Sequence, residues 1–159
     1  MIAMRLSEAG RATGASLHGA DADFVGVSTD SRTLNRGELF CALSGPNFDG
    51  HDYCAAAAER GAVAALVERA IDVPLPALMV PDTLHALGAL ARAWRRRFAI
   101  PVVGVTGSNG KTTGKQMLAS ILGVEAAVLA TTGNLNNEVG VPQTLCRLDR
   151  THRYAVVEM

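Results

Sequence analysis

Lysine is almost missing from this chain. Of its 15 basic residues only Lys111 and Lys115 are lysines, the other 13 being arginines. With the abundant alanine, that imbalance reflects a GC-rich coding bias, and it marks the two lysines as places where a compact point charge does what a guanidinium fork cannot. An excess of either charge is missing too: 15 acidic residues balance the 15 basic ones. That excludes a nucleic-acid binder relying on phosphate neutralisation. Cysteine is scarce and odd in number. Cys41, Cys54 and Cys146 are too widely spaced for a disulfide framework or CxxC-type zinc ligation, and they read as structural thiols. The four histidines, His18, His51, His85 and His152, show no ligand spacing and read as surface or packing residues. Long apolar runs are also lacking. The stretches AAAA at 55–58 and AVAALV at 62–67 are far too short to span a bilayer, and MIAMRLSEAG has no apolar h-region, so a cytoplasmic protein is expected.

What is present is enough apolar material for a packed core, at 48% hydrophobic and 19% charged over 159 residues. The pattern predicts a helix over 6–13 with Ser7 as its N-cap, and extended segments near 15–18 and 24–28. A strand follows at 39–43, then a Gly/Pro/Asn/Asp-rich loop, SGPNFDGHD, an Ala-rich helix at 51–60 ended by Gly61, and strands at 62–67 and 77–80. The reading changes at Pro81. Asp82 can cap a long amphipathic helix through Leu84, Leu87, Ala91, Trp94 and Phe98, closed by Arg95, Arg96 and Arg97, a solvated helix end rather than a phosphate patch. Beyond it, strands at 102–105, 126–130 and 154–157 alternate with helices at 112–122 and 141–147. Such alternation argues for a parallel sheet with crossover helices. Two domains are expected, residues 1–81 and 82–159, both α/β.

The sharpest motif is VVGVTGSNGKTT at 102–113, a β-branched run entering a Gly-rich turn and then a helix. Phosphate binding needs converging backbone N–H groups, glycines that allow close approach, a helix N-terminus, a lysine for the outer phosphates and a hydroxyl for magnesium. Gly107, Ser108, Asn109, Gly110, Lys111, Thr112 and Thr113 supply these parts. The pattern GxxxxGK[ST] asks for glycine where Val105 stands, so the strict motif fails while its strand, turn and helix context holds. Glu158 closes the apolar run of the last strand, where ligands gather in parallel sheets. With the phosphate loop at hand it reads as a magnesium ligand, and on position alone equally as a solvated strand end. Asn134, Asn136 and Asn137 follow another strand; they suit sugar hydroxyls or a peptide backbone, and equally a turn.

TGSNGKTT followed by KQML, with GNLNNEVGVPQTLCRL and the terminal YAVVEM, resembles the ATP-binding central domain of the Mur ligase family. STDSRTLNRGELFCALSGPNFDGHDYCAAAAERGA resembles the family's N-terminal uridine-nucleotide-binding domain. The resemblance is strongest to the branch that joins D-alanyl-D-alanine to UDP-N-acetylmuramoyl-tripeptide. The GNLNNEVGVP segment separates it from the branch adding a diamino acid, which usually carries an NTTP-type segment there. Folylpolyglutamate synthetase shares the ATP domain but typically lacks the uridine-binding one. The displaced glycine is normal in the family. The resemblance implies a small N-terminal uridine-nucleotide-binding domain followed by the truncated start of a phosphate-loop, parallel-sheet ATP-binding domain.

It further implies ATP and magnesium as cofactors, Gly107 to Thr113 on the ATP phosphates, Lys111 as the catalytic cation, and Thr112 and Glu158 on the metal. Asn136 and Asn137 are expected near the muramoyl substrate, and Ser31, Arg32, Gly45, Pro46 and Asn47 at the uridine nucleotide. The implied reaction is ATP-driven amide formation through an acyl phosphate, by a monomer without nucleic-acid or membrane partners. Because the family continues past this strand, the chain is expected to be an N-terminal portion, inactive alone. The alternatives are a non-catalytic uridine-nucleotide or ATP-binding module and a diamino-acid-adding ligase.

Overall fold

A computed structural model describes all residues, 1–159. It forms two compact units, residues 1–90 and 91–159.

In the first unit, β1 (Ala3–Arg5) leads directly into α1 (Leu6–Thr13). The helix has the expected bounds but not the expected cap. Its N-cap is Arg5, which makes no side-chain cap bond, and the Ser7 backbone N–H donates instead to Asp21 Oδ1 at 2.9 Å. A carboxylate 14 residues away thus satisfies a donor that the helix itself cannot. Strands β2 (Ser16–His18), β3 (Asp23–Val25) and β4 (Val27–Ser28) follow, β1 and β3 pairing antiparallel. The central sheet adds β5 (Leu39–Cys41), β8 (Ala64–Val67) and β9 (Ala77–Met79), in the order β2-β9-β8-β5-β4. Four strands run parallel, and β2 lies antiparallel on β9. Every residue of β5 and β8 is buried, as parallel strands covered on both faces require. Phe40, Ala42, Cys54, Ala57, Ala65 and Val67 form the centre of the core.

The SGPNFDGHD stretch, expected as a loop, contains a short hairpin of β6 (Ser44–Gly45) and β7 (Phe48–Asp49) closed by Pro46 and Asn47. A Cβ at 45 would come within 2.7 Å of the Phe48 ring, so a larger residue there would push that exposed ring aside. A 3-10 turn at Gly50–Tyr53 precedes α2 (Cys54–Glu59), and Gly61 N–H closes on Ala58 O at 2.9 Å.

α3 (Thr83–Arg95) carries residues of both units. Asp82 caps it as expected, accepting from the His85 N–H at 2.8 Å. Ala86, Leu87, Leu90, Ala91 and Trp94 are buried, and Trp94 Nε1 donates to Leu148 O at 3.0 Å. Arg95 donates to the carbonyls of Phe98 and Ile100 at 2.6 and 3.0 Å. Arg97 lies 5.0 Å from the Trp94 ring. The arginine run is therefore a helix C-terminus and its packing, as expected.

The second unit alternates β10 (Val102–Val105), α4 (Lys111–Gly123), β11 (Val128–Ala130), α5 (Gly140–Cys146) and β12 (Tyr154–Glu158). The sheet is parallel in the order β10-β12-β11. β12 is central, with Ala155, Val156 and Val157 buried. Its register fixes the site: Val105, where the glycine-rich loop begins, stands opposite Glu158.

Candidate functional site

Between Val105 and Lys111 the chain turns through Gly107 at φ +148° and Gly110 at φ +74°. Gly110 is the N-cap of α4, and nothing lies within 4 Å of where a Cβ would stand. Its left-handed backbone, not crowding, is what asks for glycine. The loop residues from Thr106 to Gly110 are exposed, leaving their backbone open to an anion at the helix N-terminus. Lys111 is the first residue of α4 and half-buried.

The register places Glu158 beside this loop, and four groups converge on it. Lys115 Nζ lies 2.9 Å from Glu158 Oε2, with both side chains buried at 5% and 3% exposure. Asn136 Nδ2 donates to Oε1 at 3.0 Å. Thr112 Oγ1 lies 3.2 and 3.3 Å from the two carboxylate oxygens. The Glu158 backbone N–H donates to Thr131 Oγ1 at 3.0 Å. Lys115 first, then Asn136, holds the Glu158 carboxyl below its ordinary value, because each favours the ionised form.

Of the residues singled out from the sequence, the structure therefore gathers Thr112, Asn136 and Glu158 at the mouth of the loop that carries Lys111. Asn137 is turned to another task. Its Oδ1 accepts from the Gly140 N–H at 2.8 Å, in the first turn of α5. Sequence reasoning missed Lys115 as a member of the site. The scarcity of lysine was the available signal, since Lys115 lies one helical turn beyond Lys111. A cleft of about 440 Å³ opens beside the cluster, lined by Thr112, Lys115, Gln116, Ser120, Thr131, Thr132 and Asn134 among others.

In the first unit, Ser31 and Arg32 line a cleft of about 430 Å³ with Thr29, Asp30, Phe40, Phe48, Gly50 and Tyr53. Gly45, Pro46 and Asn47 belong to the neighbouring hairpin and are not among the lining residues. Arg32 pairs with Asp30, Nη2 to Oδ2 at 2.8 Å, and its backbone N–H donates to Oδ1 at 2.9 Å. These bonds bring the Asp30 carboxyl down to about 2. Next in the chain to the lining Gly50, His51 Nδ1 lies 2.6 Å from Asp49 Oδ1 while Nε2 accepts from the Glu68 N–H at 2.9 Å. The two contacts define one neutral tautomer, with the proton on Nδ1. Asp49 also meets Arg69 at 2.7 Å. The hydrogen bonds from His51 and Arg69 hold its carboxyl far below the usual range.

The burial of the thiols matches the structural reading. All three cysteines are free and buried, and burial pushes Cys54 up to about 11 and Cys146 to about 12. Cys41 Sγ donates to Thr83 O at 3.8 Å.

A parallel sheet with a glycine-rich loop at one strand end, a helix N-terminus behind it and a buried carboxylate on the adjacent strand defines an α/β protein whose loop could receive an anion. Comparison with known proteins makes the class specific. Residues 23–95 match the Mur ligase family catalytic domain and residues 105–159 match the Mur ligase middle domain. The chain belongs to the Mur ligase family. Over its whole length it is 46% identical to the UDP-N-acetylmuramoyl-tripeptide--D-alanyl-D-alanine ligase of Escherichia coli K12. It superposes over 100% of its length on MurF from Acinetobacter baumannii, with a TM-score of 0.93 at 40% identity, covering 36% of that chain. With MurF from Thermotoga maritima, solved in complex with ADP, the TM-score is 0.74 at 35% identity over 84% of this chain and 31% of that one. The chain spans 35% of the length of its Escherichia coli relative.

No helix is long and apolar enough to cross a membrane.

Proposed function

We propose that this chain supplies the uridine-nucleotide-binding and phosphate-binding parts of a cytoplasmic, ATP-dependent ligase. The ligase joins D-alanyl-D-alanine to UDP-N-acetylmuramoyl-tripeptide in peptidoglycan synthesis. The observation that carries the reading is the convergence of Thr112, Asn136 and Glu158 beside a glycine-rich loop bearing Lys111. The names of the relatives supply the substrates.

Residues 1–81 take the nucleotide of the UDP-linked substrate. Their cleft offers the Arg32 guanidinium for an anion, the Ser31 hydroxyl for hydrogen bonding, and the Phe48 and Tyr53 rings, both about half exposed, as faces for a base. Gly45, Pro46 and Asn47 sit on the hairpin that carries Phe48 and would shape one wall. Residues 82–159 begin the ATP domain. The exposed backbone of Gly107 to Gly110 and the N-terminus of α4 would receive the phosphates of ATP, with Ser108, Asn109 and Thr113 completing the loop.

The donors present fit magnesium: the Thr112 hydroxyl and the Glu158 carboxylate are hard oxygens. Bound there, magnesium would neutralise charge on the phosphates and orient them for attack. Lys111 would hold the γ-phosphate as the terminal carboxylate of the tripeptide attacks it. The bond to ADP breaks, an acyl phosphate forms, and the amine of the dipeptide then displaces phosphate and loses a proton. Asn136, tied to Glu158, and Asn137, tied to α5, would steady the loop over the second cleft. Beside Lys115, the hydroxyl and amide side chains that line the cleft suit a muramoyl-peptide.

Phosphate release by the full-length protein tests the reading. Release should require ATP, UDP-N-acetylmuramoyl-tripeptide and D-alanyl-D-alanine together. Release with a diamino acid and UDP-muramoyl-dipeptide instead, or none with any acceptor, would overturn it.

A further inference from the structure

The pairing of Lys115 with Glu158 is not needed to build the helix or the sheet. Helix α4 would form equally with alanine at 115, and β12 is already buried through Ala155, Val156 and Val157. Yet the side chain is driven inward until 5% of it is exposed, and its Nζ ends 2.9 Å from the carboxylate that would hold the metal. An ion pair this buried is a poor stabiliser by itself, because desolvating two charges offsets most of their attraction. A role at the site accounts for it better.

Charge bookkeeping gives that role. Glu158 already has a buried counter-ion in Lys115, and Lys111 opens the same helix one turn earlier, so this carboxylate offers no uncompensated negative charge before nucleotide arrives. Nowhere in the chain do three or more His, Cys, Asp or Glu gather to hold a metal. A divalent cation alone would find one carboxylate that already has a counter-ion. With nucleotide phosphates in the loop the balance reverses, and their oxygens join Glu158 and Thr112 in a donor set suited to magnesium.

Resting on the reading of the loop as a nucleotide site, we propose that Lys115 is a positioning residue and internal counter-ion for Glu158. It holds the carboxylate at the phosphate loop and closes the site to a free divalent cation, so that metal enters only together with nucleotide. Lysine suits the task because its compact charge reaches Glu158 from α4 with only 5% of the side chain exposed, leaving the Thr112 hydroxyl and the Asn136 amide their own places on the same carboxylate. The inward-facing position also explains why this lysine persists where arginine serves almost everywhere else.

The test uses the full chain and Mn²⁺ as the magnesium surrogate, followed by electron paramagnetic resonance with and without ADP. Wild type should take up Mn²⁺ with ADP and show no site for Mn²⁺ alone. Lys115→Met should bind Mn²⁺ alone at least tenfold more tightly than wild type, and Lys115→Arg, which keeps the charge but spreads it over a fork too bulky for the buried position, should restore the exclusion only in part. Thermal unfolding gives a second readout if Lys115→Met is poorly folded in metal-free buffer: Mn²⁺ should raise its midpoint and leave wild type unmoved. Equal Mn²⁺ responses of wild type and Lys115→Met, in both binding and melting, would overturn the proposal. Failure of wild type to take up Mn²⁺ with ADP would instead overturn the nucleotide-site reading on which it rests.

Discussion

At the scale of single residues, the chemistry concentrates where backbone and side chain constrain each other. Gly110 holds a left-handed φ at the start of α4, a conformation that costs an L-residue roughly 1–2 kcal/mol. Gly110→Ala should lower stability by about 1 kcal/mol in urea denaturation and weaken ADP binding more than that change alone would. Lys111→Ala should reduce ligase turnover of the full-length protein by about 100-fold or more, the scale of losing one positioned charge on a reacting group, with the melting temperature little changed. The thiols make the opposite statement. Cys54 and Cys146 are pushed by burial to about 11 and 12, so at pH 8 they stay protonated. The native protein should react with a thiol-directed disulfide reagent only as fast as it unfolds, and fast modification of any cysteine would contradict the burial. The acids set the pH response. Asp30, brought down to about 2 by Arg32, has a folded value below its unfolded one. Its contribution is therefore complete above about pH 4 and is lost as pH falls toward 2. Asp49 is depressed by His51 and Arg69 and acts in the same direction. Acid titration of stability should show a decline in that window, muted because both carboxylates are partly exposed.

At the scale of elements, local signals were legible and distant partners were not. The bounds of α1 and β10 were readable to the residue, and Asp82 announced the start of α3. Asp82→Ala should cost about 1 kcal/mol in denaturant unfolding, the usual worth of an N-cap. The cap of α1 could not be read, because Asp21 reaches Ser7 across 14 residues and no local pattern records that contact. Asp21→Ala should therefore destabilise the chain by a similar amount while Ser7→Ala does little. The hairpin at Ser44–Asp49 escaped notice for a related reason. Its strands are two residues long and carry no alternation, and what holds them is the Phe48 ring lying on Gly45, a packing fact. The arginine run at 95–97 is legible as a helix end, since cations at a C-terminus are a local rule, and Arg95 does close α3.

At the scale of the whole molecule, the site exists because of strand register. The sequence offered Thr112, Asn136 and Glu158 as separate hints, each with a bland alternative. Only the pairing of Val105 with Glu158, and the packing of α4 that brings Lys115 to the same carboxylate, joins them. Lys115 was visible as a rarity, but its partner lies 43 positions further along the chain with two elements between. The central claim is that this junction holds a magnesium nucleotide. Calorimetric titration of ADP, with and without magnesium, into wild type and Glu158→Gln tests it most directly. Magnesium should tighten ADP binding to wild type at least tenfold, and Glu158→Gln should abolish that enhancement while still binding ADP through the loop. Absence of saturable ADP binding to wild type, or an enhancement that survives in Glu158→Gln, would contradict it.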